Sequence, residues 1–271
     1  MRNIKAVFTK QFLSYTKNPG QWVMSATFLL IPFIMSMANN EGVAIFTIQF
    51  VIMFVGISMI GGSAGMILED KQTMNLRFMG MAGVKPYQYL ISTCGVLLIV
   101  SLGVLTLFGL IRGHSGEILI NFLIVTMLGV SCSILLGITL GLSKLAPFSW
   151  LVGILLGVGP VMANDFGIGV LSQLFYFSYT YQIDVALRGS ISILPDVTTI
   201  EELSSVYNLT NMYELRAFLR ELRTPRDLAI LPMGSIRVLL VNMAAILLAF
   251  VVTNLKYGLD GERLVKLRSE G

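Results

Sequence analysis

Charge is the first thing this sequence lacks. Asp, Glu, Lys and Arg together make up 13% of its 271 residues, against about 25% in an ordinary soluble domain. So little charge cannot cover a water-facing surface, which excludes a soluble globular protein. Histidine occurs once, at His114, and the two cysteines, Cys94 and Cys132, both fall inside apolar runs. Neither a zinc site nor a disulfide framework can be built from that set; the cysteines read as small buried hydrophobes. No Gly-Lys pair is present, so the phosphate-cradling loop of a P-loop ATPase is excluded. No serine in an apolar run has a histidine partner, so nucleophilic hydrolysis has no support. The apolar runs are almost free of ionisable residues, whereas an ion-driven carrier places proton or cation relays there. The chain therefore reads as a non-enzyme without a cofactor or metal of its own.

What is present is apolar length. Hydrophobic residues make up 55% of the chain and mean hydropathy is +0.79. A helix needs about 20 mainly apolar residues to cross a bilayer. Six segments qualify or nearly do: 22–38, 43–68, 90–111, 118–142, 148–163 and 236–253. The fifth is short and is expected to continue through Asn164 and Asp165. The second is long, so a tilt or a bent turn is expected around Gly61, Gly62 and Gly65. The first apolar run starts only near Trp22, without the cleavage site of a signal peptide.

The net charge of +4 marks sidedness rather than a nucleic-acid partner. Arg2, Lys5, Lys10, Lys17, Lys71, Arg77, Lys85, Lys144, Lys256, Arg263, Lys266 and Arg268 all flank span ends on one side, which takes every lysine in the chain. By the positive-inside rule that side, with both termini, is cytoplasmic. Ile4, Val7, Phe8, Phe12 and Tyr15 recur at helical spacing among lysines, the pattern of an amphipathic helix lying in the membrane interface.

Between the fifth and sixth spans lies the one large polar segment. Its first part clusters Phe175, Tyr176, Phe177, Tyr179 and Tyr181, rings expected at headgroup level. Its second part carries helix-start signals at Thr198, Thr199 and Asn211. Asp165, at the outer end of the fifth span, is with Phe175 and Tyr179 the candidate lining of an outer gate; interfacial capping is the plainer reading of Asp165. Within the spans, Gly129, Ser133, Gly137 and Gly141, together with the pairs Gly61/Gly65 and Gly153/Gly157, form small-residue ridges for close helix packing.

The segment 69–89 is too long and too apolar for a plain connector. Met74, Leu76, Phe78, Met79 and Met81 predict a short amphipathic helix, Gly83 a break, and Pro86 the start of the next helix. Exposed apolar side chains on such a helix require a partner.

Three features together carry a resemblance. The basic helix runs into Lys17-Asn18-Pro19 before the first span. The second span empties into Glu69-Asp70-Lys71, Thr73 and Leu76. Gly83-Val84-Lys85-Pro86-Tyr87-Gln88-Tyr89 then opens the third. Over nearly its whole length the layout resembles the membrane permease subunit of the type-two ATP-binding-cassette (ABC) exporter family, although Gln72-Thr73 stands where that family often has Gly-Thr.

The resemblance implies an all-α integral membrane protein with six transmembrane helices. Residues 1–21 would form an interfacial amphipathic helix and 22–165 spans one to five, with a cytoplasmic coupling helix within 69–89. Residues 166–235 would form an outer re-entrant and extracellular helical segment, and 236–271 span six with a cytoplasmic tail. It implies a multi-pass protein of a cell membrane, a bacterial plasma membrane. The partners would be two copies of a cytoplasmic ATPase that binds ATP and Mg, and a second permease, identical or a sister chain. Glu69, Asp70, Thr73, Leu76 and Arg77, with Phe8 and Phe12, would lie at the coupling surface to that ATPase. Spans two and five would line the dimer axis, along which an amphipathic cargo (lipid, drug or peptide) is exported. The competing expectations are a self-contained secondary carrier or channel, and a membrane sensor or scaffold with a ligand-binding outer subdomain.

Overall fold

The structure, a computed structural model, describes residues 2–37, 43–111, 114–165, 173–189 and 233–257. Among them every regular element is helical. Helix α1 (Arg2–Lys17) passes directly into α2 (Pro19–Met37). Helices α3 (Val43–Met53) and α4 (Met59–Gln72) form one rod, joined by a single π-helical stretch, Phe54–Ser58. A short α5 (Asn75–Met81) leads to the long pair α6 (Pro86–Ile111) and α7 (Gly116–Leu142). A 3-10 turn, Ala146–Phe148, precedes α8 (Ser149–Asp165); α9 (Tyr179–Gly189) and α10 (Met233–Tyr257) complete the order.

Among the described residues four stretches are long and apolar enough to cross a bilayer: Thr47–Gln72, Pro86–Ile111, Gly116–Leu142 and Gly234–Asn254. Ala146–Met162 is apolar but shorter. Their outward faces are apolar too: Ile91, Ile99, Leu107, Trp150, Leu155, Val241 and Leu248 are all exposed. In water such faces would aggregate, whereas in lipid they are solvated. This is a helical membrane protein. The α3–α4 rod is its axis, since 67% of its most apolar stretch is buried inside the protein against 6% for α10.

Small residues set how closely the rod packs. A Cβ at Gly137 of α7 would fall on Ser63 Oγ and 2.5 Å from the Ile60 carbonyl; one at Gly141 would lie 3.0 Å from the Ala64 carbonyl. On the other side of the rod the π turn brings Gly56 against α8, where a Cβ would stand 2.5 Å from Gly157 Cα. Of the tilt or bent turn expected around Gly61, Gly62 and Gly65, the bent turn is not formed. Those residues continue α4, and the irregularity falls one to two turns earlier, where the wide π turn fits the crossing with Gly153 and Gly157. A Cβ at Gly61, Gly62 or Gly65 would meet nothing within 4 Å.

Two sequence expectations change in depth. The apolar stripe of α1 packs largely on protein: Val7 and Tyr15 are buried, Phe8 covers Gly95 of α6, and Ser92 Oγ donates to the Ile4 carbonyl at 3.1 Å. Phe12 and Leu13 remain exposed. The aromatic cluster divides likewise. Tyr176 and Phe177 are exposed, but Phe175 and Tyr179 are buried. Tyr179 starts a helix that lies among α3, α7, α8 and α10. Its hydroxyl hydrogen-bonds Ser133 Oγ at 2.8 Å, past the midpoint of α7. The expected helix starts at Thr198, Thr199 and Asn211, most of the outer subdomain 182–232 and the tail after Tyr257 lie outside the described residues.

Candidate functional site

Lys10, Lys71, Lys85 and Lys144 gather at one end of the bundle, and His114 lies at the other. At the lysine end the chain reverses between α4 and α6. Helix α4 stops where Thr73 N–H and Oγ1 both donate to the Glu69 carbonyl, at 2.9 and 2.8 Å. Met74 then takes a left-handed conformation (φ 60). That is uncommon for a residue with a Cβ, and it turns the chain into α5. Gly83 (φ 76), where glycine carries no steric cost, ends α5. Pro86, which has no N–H to leave unsatisfied, opens α6.

Inside this turn lies Asp70, only 3% exposed. Its Oδ1 pairs with Lys10 Nζ and accepts from Asn75 Nδ2 at 3.1 Å. Its Oδ2 accepts from Gln11 Nε2 at 2.7 Å and from the Tyr89 hydroxyl at 2.8 Å. A buried carboxylate is costly unless paired and fully hydrogen-bonded. Four donors from α1, α5 and α6 meet that condition, so one side chain ties three helices to the end of α4. Lys71, the next residue, projects away from this hub. Its Nζ donates to the carbonyls of Gly141 and Leu142 at 2.7 and 2.8 Å. A cation there satisfies orphan carbonyls at the negative end of the α7 dipole.

The structure separates the predicted coupling residues into two groups. Asp70 faces inward as the hub, and Leu76 is buried beneath α5. Glu69 and Thr73 are exposed. Arg77 lies on α5. Phe8 is half-buried and stacks on exposed Phe12, with ring centroids 6.5 Å apart. Asp165 is the last residue of α8. Phe175 closes over Gly159, and both Phe175 and Tyr179 are buried.

The outward side of α5 and the start of α6 carry Phe78 (61% exposed), Met81 (66%) and Tyr87, while Met79 and Val84 pack on the core. The sequence showed that this segment had apolar side chains to cover; it did not show which faced out. Lys10, Gln11 and Tyr89 as partners of Asp70, and Lys71 as a helix cap, were not anticipated. The available signal was an acid–base pair just beyond an apolar run, which names no partner. Among the described residues no three of His, Cys, Asp and Glu come together to hold a metal. Comparison with family models, with curated proteins and with solved structures returned no match.

Proposed function

We propose that this chain is the permease subunit of an ABC exporter, moved by a separate cytoplasmic ATPase. On this reading α2 and α8 are the first and fifth of six spans, and the lysine end faces the cytoplasm. The coupling surface is the outward side of α5 with the start of α6. One observation carries the reading. A short helix hangs between the ends of two long apolar helices, with Leu76 and Met79 turned in and Phe78 and Met81 turned out, beside Tyr87 at the exposed start of α6. A connector that only reversed the chain would need neither the helix nor the apolar outer face.

The hub beneath adds to it. Asp70 anchors α1, α5 and α6 together, so a push on α5 reaches them as one body. Asp70 and Leu76 therefore act as the anchor of the coupling segment, while Glu69 and Thr73 stand on its exposed side with Phe78, Met81 and Tyr87. A second permease copy would cover the open Gly61, Gly62 and Gly65 face of α4, and the cargo is amphipathic or hydrophobic.

The test is capture of a cassette ATPase co-expressed with the chain. Burial of one large apolar side chain on docking contributes about 1.5–3 kcal/mol, and a glutamate in its place adds a desolvation cost. Phe78→Glu and Met81→Glu should each weaken capture about a hundredfold without changing the chain's own elution profile. Equal capture by both variants, or none by the wild-type chain, overturns the reading.

A further inference from the structure

The last turn of α4 stands between two arms. Helices α6 and α7 pack together from the turn that joins them to about mid-helix: Gly109 lies under Leu119 and Phe122, and Ser101 Oγ is 3.9 Å from Met127 Sδ. At the lysine end, α4 has one of these helices on either side. Successive helical residues project about 100° apart, so Asp70 and Lys71 address different neighbours. Asp70 holds Tyr89 of α6 together with Lys10 and Gln11 of α1; Lys71 holds the last two carbonyls of α7. Below Lys71 the contact between α4 and α7 is a seam of small residues, Ser63 and Ala64 against Gly137 and Gly141. That seam fixes how closely the two helices approach. The two hydrogen bonds from Lys71 add directional ties at its open end.

The two attachments differ in kind. Asp70 is enclosed, with an ion pair and three further hydrogen bonds. Lys71 is half-buried and bonds only to backbone carbonyls. Replacing it leaves those carbonyls without the cation rather than leaving a charge buried alone, so its contribution can be removed without dismantling the bundle.

We infer that Lys71 is a positioning residue that makes α7 follow the terminal turn of α4. Displacement of the coupling segment is then delivered along two branches, through Asp70 to α1 and α6 and through Lys71 to α7. The inference rests on the proposed function for the origin of the push, but the two-branch attachment is a property of the chain itself.

Amide hydrogen exchange of the full chain in lipid nanodiscs tests the branches without any partner. Lys71→Met should raise exchange over 139–143 about tenfold and leave 2–17 and 86–93 as in wild type. Asp70→Asn should do the reverse, and Lys71→Arg, which keeps a cationic donor, should stay close to wild type. If Asp70→Asn fails to fold, the Met and Arg variants of Lys71 decide alone. In the complex with the ATPase, Lys71→Met should keep capture and ATP hydrolysis while cargo moved per ATP falls at least fivefold, with Lys71→Arg restoring it. Unchanged exchange over 139–143 in Lys71→Met, loosening of both branches together, or wild-type transport per ATP overturns the inference. Failure of the wild-type chain to capture an ATPase removes the functional reading and leaves the exchange pattern to decide the branches.

Discussion

Tyr89 and Asp70, nineteen residues apart in the chain, are joined by a hydrogen bond of 2.8 Å from the phenolic hydroxyl to Oδ2. That bond closes the turn between α4 and α6 and sets the platform on which α5 sits. Asp70→Asn weakens every interaction at the hub at once, because the ion pair with Lys10 is lost and one acceptor becomes a donor facing donors. The expected cost is about 2–4 kcal/mol, toward the lower end because Lys10 is partly exposed. Tyr89→Phe, which removes one donor, should cost about 1 kcal/mol. Thermal unfolding in detergent checks both. A double-mutant cycle of Asp70→Asn with Lys10→Met should be clearly non-additive, because the two residues share one contact.

Glycines that look alike in the sequence should respond in opposite ways. At Gly137, alanine forces its methyl onto Ser63 Oγ and toward the Ile60 carbonyl; at Gly56 it meets the backbone of Gly157. Gly137→Ala and Gly56→Ala should each destabilise the fold by about 2–3 kcal/mol. Gly65→Ala, with nothing within 4 Å, should stay within about 0.5 kcal/mol of wild type. Thermal unfolding of the three variants orders them directly.

The same open positions test pairing. If a second copy covers that face, as proposed, Gly61→Leu and Gly65→Leu should leave the monomer folded and abolish the dimer. Mass photometry in nanodiscs reads this. Dimers of normal abundance in both variants would place the partner elsewhere.

Tyr179 and Ser133 hold α9 against the middle of α7. Either Tyr179→Phe or Ser133→Ala should lower stability by about 1 kcal/mol, and the double variant should cost little more than either alone. Additive losses would show that the two hydroxyls do not depend on each other.

The apolar axis of the protein was legible because crossing a bilayer leaves a signal that depends only on local composition. Predicted spans two, three, four and six correspond to the four long apolar helices. The break at Gly83 and the start at Pro86 were legible for a similar reason, since backbone freedom and its loss are written in single residues. Depth and facing were not. Tyr179 reads as an interfacial ring because other rings cluster around it in the sequence; its burial comes from packing on α7, where it bonds Ser133 and the next turn of its helix sets Ile183 against Gly129. Asp70 reads as a surface acid because it follows an apolar run. Its inward direction depends on Lys10, Gln11 and Tyr89 converging from two other helices. The Gly129–Gly141 ridge was visible as a place of close approach, but its division between α9 above and α4 below is a tertiary fact. Gly56, a single glycine in an apolar run, gave no pattern at all.

The most direct measurement is transport in proteoliposomes that contain the chain and the cassette ATPase proposed to drive it, with a fluorescent lipid as reporter cargo. The account expects movement across the bilayer only when ATP and Mg are supplied, lost when the ATPase carries an inactivated nucleotide site or this chain carries Phe78→Glu. Movement of the reporter by the chain alone, with no nucleotide present, would contradict it.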